Sequence, residues 1–162
     1  MPPPSKVLDS KERRVNNLAK CFSLSAGVTL LVTGLAKLWS GFGNARFLAV
    51  PDPILGIRFG HLISSVGVAE VIVALVCLMS RRPTFAGASV AWLATNLAVY
   101  RLGLWCIGWK RPCNCLGNLT DALHVSPALA DSVMKLALAY LLIGSYALLF
   151  WRRGMQGATA RG

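Results

Sequence analysis

Residues 111–117 read RPCNCLG, which places two thiols, Cys113 and Cys115, a single residue apart. Pro112 and Gly117 bracket them and favour a tight exposed turn over a helix. A disulfide between such close neighbours closes a small, strained ring, and strained disulfides are the oxidising, labile ones. Three readings of the pair stand side by side. It is a redox-active dithiol with Cys106 near enough to act as a resolving thiol, a structural disulfide that ties a loop, or a metal site that adds His61 and His124. Zinc sites usually space paired cysteines two to four apart and need four ligands, whereas copper(I) tolerates fewer thiolates.

A second group of reactive side chains is embedded in hydrocarbon. Glu70 lies in the middle of HLISSVGVAEVIVALVCLMS, Lys37 in TGLAKLW, and Arg101 and Lys135 near the ends of two further apolar stretches. An ionisable group inside a membrane segment is costly and is by default a functional hypothesis. Nearby cations stabilise a thiolate, which is what a reactive cysteine requires. The plainer alternative is that long basic side chains at helix ends reach out to the headgroups. That alternative is preferred for Lys135, while for Lys37 and Arg101 it competes evenly with a role at the cysteines, Glu70 offering a partner.

The elements that must position these groups are apolar helices. The chain has 162 residues, 55% hydrophobic and 14% charged, with a mean hydropathy of +0.57, against about 25% charged in a typical soluble domain. Four apolar runs approach the roughly 20 residues that cross a bilayer: Leu18–Trp39, Leu62–Ser80, Thr84 to about Trp105, and Ser132–Trp151. Alternating patterns are absent. The expected fold is all-α, a polytopic four-transmembrane-helix bundle over residues 18–151, with a basic flank at 1–17 and a basic tail at 152–162. The first run reads as an uncleaved anchor, because its flank is long and charged and lacks a small-residue cleavage pattern. That flank either lies along the interface on Val7, Leu8, Val15 and Leu18 or frays into solvent.

The net charge of +11 invites a nucleic-acid reading, but the distribution of the basic residues argues for topology instead. Lys6, Lys11, Arg13, Arg14, Lys20, Arg81, Arg82, Arg152, Arg153 and Arg161 share one side of a four-span protein, and Arg46, Arg58, Lys110 and Arg111 the other. Ten cations against four place both termini in the cytoplasm of a bacterial inner membrane and the cysteine loop in the periplasm, where disulfides persist. Lys37, Arg101 and Lys135 then converge beneath that loop. Cys21 and Cys77, near the cytoplasmic ends, are expected to behave as small buried hydrophobes. Trp39, Trp105, Trp109 and Trp151 suit an aromatic belt. Gly87 with Ala91 and Ala94 with Ala98 suit close packing, and Asn96 is available for an interhelical hydrogen bond. No phosphate-binding glycine loop, nucleophile elbow or pair of catalytic carboxylates is present.

Taken together, TGLAKLW, Glu70 and RPCNCLG resemble the MauE family, the methylamine-utilisation membrane proteins related to the DoxX-like four-helix group. The resemblance covers roughly residues 18–150. It matches Gly34, Lys37 and Leu38, the glutamate Glu70, and the loop residues Pro112, Cys113, Cys115 and Gly117; Leu116 replaces the family's usual phenylalanine. It implies a role in maturing periplasmic methylamine dehydrogenase by passing redox equivalents for its disulfides. The wider group is similar to the vitamin K epoxide reductase type of membrane thiol oxidoreductase, which works with quinones.

The expected function is therefore electron exchange between a periplasmic thioredoxin-like partner and a membrane quinone. Cys113 and Cys115 form the redox pair, Lys37 and Arg101 stabilise thiolate, and Glu70 relays a proton or holds a cation. Two rival classes stay open: a non-enzymatic membrane subunit or assembly factor whose cysteines staple a loop, and a small-molecule or metal transporter that uses Glu70.

Overall fold

The computed structural model describes residues 4–41, 51–80, 82–108 and 126–159. Among them are four α-helices and no strand: α1 (Pro4–Gly41), α2 (Phe59–Met79), α3 (Pro83–Cys106) and α4 (Pro127–Thr159). α1, α3 and α4 each open on a proline, which fits the first helical turn because its missing N–H would have no partner there. α3 stops at a glycine cap. Gly108 takes φ +70, its N–H donates to the Trp105 carbonyl at 3.0 Å, and the Ile107 N–H donates to the Gly103 carbonyl, so two carbonyls of the last turn are satisfied.

Among the described residues, three segments are long and apolar enough to cross a membrane: Arg13–Gly41, Phe59–Met79 and Leu129–Gly154, with mean hydropathies of 1.6, 2.4 and 1.9. α3 has 24 residues, about 36 Å of helix. Its length is sufficient, but Thr84, Ser89, Thr95, Asn96, Tyr100 and Arg101 dilute its apolar character. Neither end of the four-run core coincides with a helix boundary. α1 continues unbroken through the basic flank, and α4 runs past Trp151 to Thr159.

The helices alternate in direction. Along α1 and α2, Gly27 faces Cys77, Gly34 faces Glu70 and Gly41 faces Ser64, a pairing that only antiparallel helices give. The α3–α4 pair is antiparallel too, with Thr95 beside Tyr146 (hydroxyl oxygens 3.0 Å apart) and Arg101 beside Asp131. Ser25 on α1 meets the Tyr140 hydroxyl of α4 at 2.6 Å. The end of α1, the start of α2, the end of α3 and the start of α4 therefore share one end of the bundle, which holds Lys37. The opposite end holds Arg152, which donates to Asn16 on α1 at 2.6 Å and to Thr84 on α3.

Side-chain size is sorted from inside to outside. The interior is built from Ala26, Leu30, Val73, Ala74, Cys77, Ala86, Val90, Leu93, Ala94 and Leu141. The outer surface carries Leu24, Val28, Val32, Leu35 and Trp39 on α1, Val68, Ile72 and Leu75 on α2, and Val133, Leu136, Ile143 and Phe150 on α4. Small residues inside let helices approach without a hydrophobic driving force between them, and an apolar exterior of this extent is stable against lipid, not water. This is a membrane protein in contact with the bilayer.

Two packing expectations are corrected. A Cβ on Gly87 would meet nothing within 4 Å, so Gly87 itself makes no close contact, whereas Ala91 and Ala94 of the same small-residue spacing are buried, Ala94 within the core. Asn96 donates to the Trp92 carbonyl of its own helix at 2.7 Å, because its side chain lies on the exposed side of α3.

Candidate functional site

A close approach of α1 and α2 builds the site. A Cβ on Gly34 would lie 3.0 Å from the Gly67 carbonyl oxygen and 3.1 Å from the Glu70 Cβ, and one on Gly67 would lie 3.0 Å from the Gly34 carbonyl and 3.2 Å from the Lys37 Cβ. Each glycine is thus the gap that admits the charged residue of the other helix. Helical side chains lean toward the N-terminus of their own helix, so in this antiparallel pair Lys37 reaches back along α1 to the level of Glu70. Its ammonium donates to both carboxylate oxygens, at 2.6 and 2.7 Å, with the two side chains only 6% and 2% exposed. Lys37 does not snorkel. It is committed to Glu70, and removing either partner would strand a buried charge.

The pair forms part of the wall of a cleft of about 80 Å³. α2 contributes Phe59, Leu62, Ile63, Val66 and Glu70, which recur at helical spacing along one face; α3 contributes Leu97, Tyr100 and Arg101, and α4 Met134 and Leu138. Most wall residues are half-buried, so the cleft is open on one side.

Two further polar groups border it. Tyr100 donates its hydroxyl to Asp52 Oδ2, and Asp52 Oδ1 accepts the backbone N–H groups of Ile54 and Leu55 at 2.9 and 2.8 Å. Asp52 is buried and organises the turn between Pro51 and Arg58, which bridge each other. Ile54 of this turn rests against Gly103 of α3. Arg101 donates to Asp131 at 3.1 Å, and Lys135 pairs with the other oxygen of the same carboxylate at 2.6 Å.

The three cations expected to converge do so at one end of the bundle, with Lys37 and Arg101 on a single cleft. Each also has a carboxylate: Glu70, the partner the sequence offered, takes Lys37, while Arg101 and Lys135 share Asp131, which the charge pattern alone did not indicate. Lys135, 65% exposed, behaves as the surface residue it was expected to be. Cys113 and Cys115, with His124 and Trp109, lie outside the described residues. Cys106 is an exposed free thiol at the end of α3, and Cys77 is buried as expected. Cys21 is exposed instead, because it falls on the outer side of α1 two residues from the inward-facing Ala19. Among the described residues no three His, Cys, Asp or Glu side chains gather as metal ligands.

Asp52, Tyr100 and Asp131 were missed at the level of sequence. Asp131 was within reach, since it precedes Lys135 by four residues, the spacing of a helical ion pair. Asp52 stands in Pro-Asp-Pro, where an aspartate commonly caps a turn through backbone N–H groups further along. Tyr100 carried no comparable signal.

Chemically, the site offers a buried donor–acceptor pair in an apolar cleft, a tyrosine hydrogen-bonded to a buried carboxylate, and an arginine held in place by an aspartate. No family model matches the chain, and no curated protein or solved structure is significantly similar to it.

Proposed function

We propose that this chain is a four-span inner-membrane protein of MauE/DoxX-like type that supports thiol–disulfide exchange at its periplasmic face. α3 serves as the fourth span, its polar residues being tolerated because Tyr100 and Arg101 face the cleft. Both termini are cytoplasmic by the ten-to-four division of basic residues. In the exchange, a dithiol of a thioredoxin-like partner reduces the Cys113–Cys115 disulfide and is itself oxidised, transferring two electrons and two protons. A membrane quinone then accepts them, becoming hydroquinone and restoring the disulfide.

One observation carries this reading. α3 ends and α4 begins at the same end of the bundle as the Lys37–Glu70 cleft, so the connector bearing Cys113 and Cys115 is attached above buried ionisable groups. Proton transfer must accompany thiol oxidation, and an ion pair in a cleft is suited to it.

Cys113→Ser should trap a mixed disulfide with the partner through Cys115, and Cys115→Ser one through Cys113. Redox titration of the purified protein should give a midpoint above the structural range, which lies below about −300 mV. A midpoint within that range with no trapped partner would make the pair a staple and the chain a non-enzymatic subunit. An impermeant thiol reagent on intact, mildly reduced cells should label the loop and spare Cys21.

A further inference from the structure

The Lys37–Glu70 pair is not saturated. An ammonium has three N–H donors and a carboxylate about four acceptor positions. Lys37 spends two donors on Glu70, one per oxygen, and among the described residues neither side chain has another hydrogen-bond partner. One donor and several acceptor positions are therefore left over on two side chains that are more than nine-tenths buried and that line the cleft. Buried polar capacity of this kind is normally met by a partner. Tyr100 and Arg101 also line the cleft but are held by Asp52 and Asp131; the other wall residues, from Phe59 and Leu62 on α2 to Met134 and Leu138 on α4, are apolar.

We infer that this cleft binds the head of an uncharged, lipid-soluble alcohol. Water aside, a hydroxyl is the smallest group that meets both demands at once, accepting from Lys37 and donating to Glu70, and the apolar remainder of the wall suits the carbon chain that water lacks. A carbonyl or an ether meets only the first. A charged head is disfavoured because Lys37 is already paired with Glu70 and Arg101 with Asp131, and an added unpaired charge in low dielectric is costly. The cleft of about 80 Å³ admits the hydroxyl and the first carbons of its chain. The apolar face of α2 from Glu70 to Phe59, about 16 Å at the rise of a helix, guides the remainder toward the open side.

The inference goes beyond the thiol reading and does not depend on it. Purified protein in lipid nanodiscs would be labelled with a photoreactive decanol carrying a diazirine in its chain. Saturable labelling is expected on Leu62, Val66, Met134 or Leu138. Competition by decanol should be about tenfold stronger than by its isomer methyl nonyl ether, which can accept a hydrogen bond but not donate one. Val66→Trp, which fills the cleft from a half-buried position, should abolish the saturable component. The Cys113→Ser/Cys115→Ser double variant should bind the alcohol unchanged, which separates this outcome from that of the redox test. Equal competition by the ether, labelling spread over Val28, Val32 and Ile72 on the outer surface, or no saturable labelling, as for a cleft that holds water only, would each overturn the inference.

Discussion

The two ends of this bundle are held together in different ways. Toward the Arg152 end, α1, α2 and α3 meet through Ala26, Ala74, Cys77, Ala86 and Val90, packed into an apolar core, with a polar clamp at the rim where Arg152 joins Asn16 and Thr84. Toward the Lys37 end α1 and α2 still touch at Gly34 and Gly67, but α2, α3 and α4 part around a cleft, and charged pairs line the space that side chains leave unfilled. The difference shows where specificity resides. Close-packed small residues hold helices together in lipid but do little to select one register. A buried ion pair tolerates a single register, because a slip of one residue turns a helical side chain by about 100° and strands the charge.

That contrast is broken most severely at the ion pair. Lys37→Met or Glu70→Leu alone should destabilise the bundle by about 3–5 kcal/mol, read as lost helicity on titration with a denaturing detergent. The double variant Lys37→Met/Glu70→Leu should recover most of the loss and can exceed the parent in stability, while any activity that needs the pair is lost. Recovery of stability without activity separates the structural role from the functional one.

Next in size is the gap that admits the pair. Gly34→Ala brings its Cβ within 2.9 Å of Val71 and 3.0 Å of a backbone oxygen, and overpacking of this kind costs about 1–3 kcal/mol. Gly87→Ala, with nothing within 4 Å, should instead stabilise by about 0.5–1 kcal/mol through helix propensity. Equal effects at the two positions would mean that α1 and α2 are not in this register.

A smaller effect is expected at the turn. Tyr100→Phe removes one hydrogen bond from Asp52 and leaves its two backbone donors in place, costing about 1 kcal/mol. Faster amide exchange at Gly56, whose N–H bonds the Asp52 carbonyl, should report it, with α2 unaffected. The smallest loss should come from Arg152→Ala, where two half-exposed polar contacts are replaced by water. A change of less than about 1 kcal/mol, with no effect on ligand or thiol chemistry, would confirm that the chemistry is confined to the other end.

Much of this was legible in the residues. Four apolar runs mark four helices because hydropathy is a local property, although the last helix begins at Pro127, five residues before its run. Glu70 and Lys37 announced themselves, since charge within hydrocarbon has to be compensated. The sequence could not say that Lys37 would turn inward to Glu70 while Lys135 stays at the surface, as both are lysines near helix ends. Nor could it say that Gly34 and Gly67, not Gly87, bring two helix backbones together, or that Asp52 would meet Tyr100 from 48 residues away. Those outcomes depend on the rotation and register of one helix against another, set by the summed fit of many side chains. Sequence alone determined which groups needed partners; the tertiary structure decided which partner each one found.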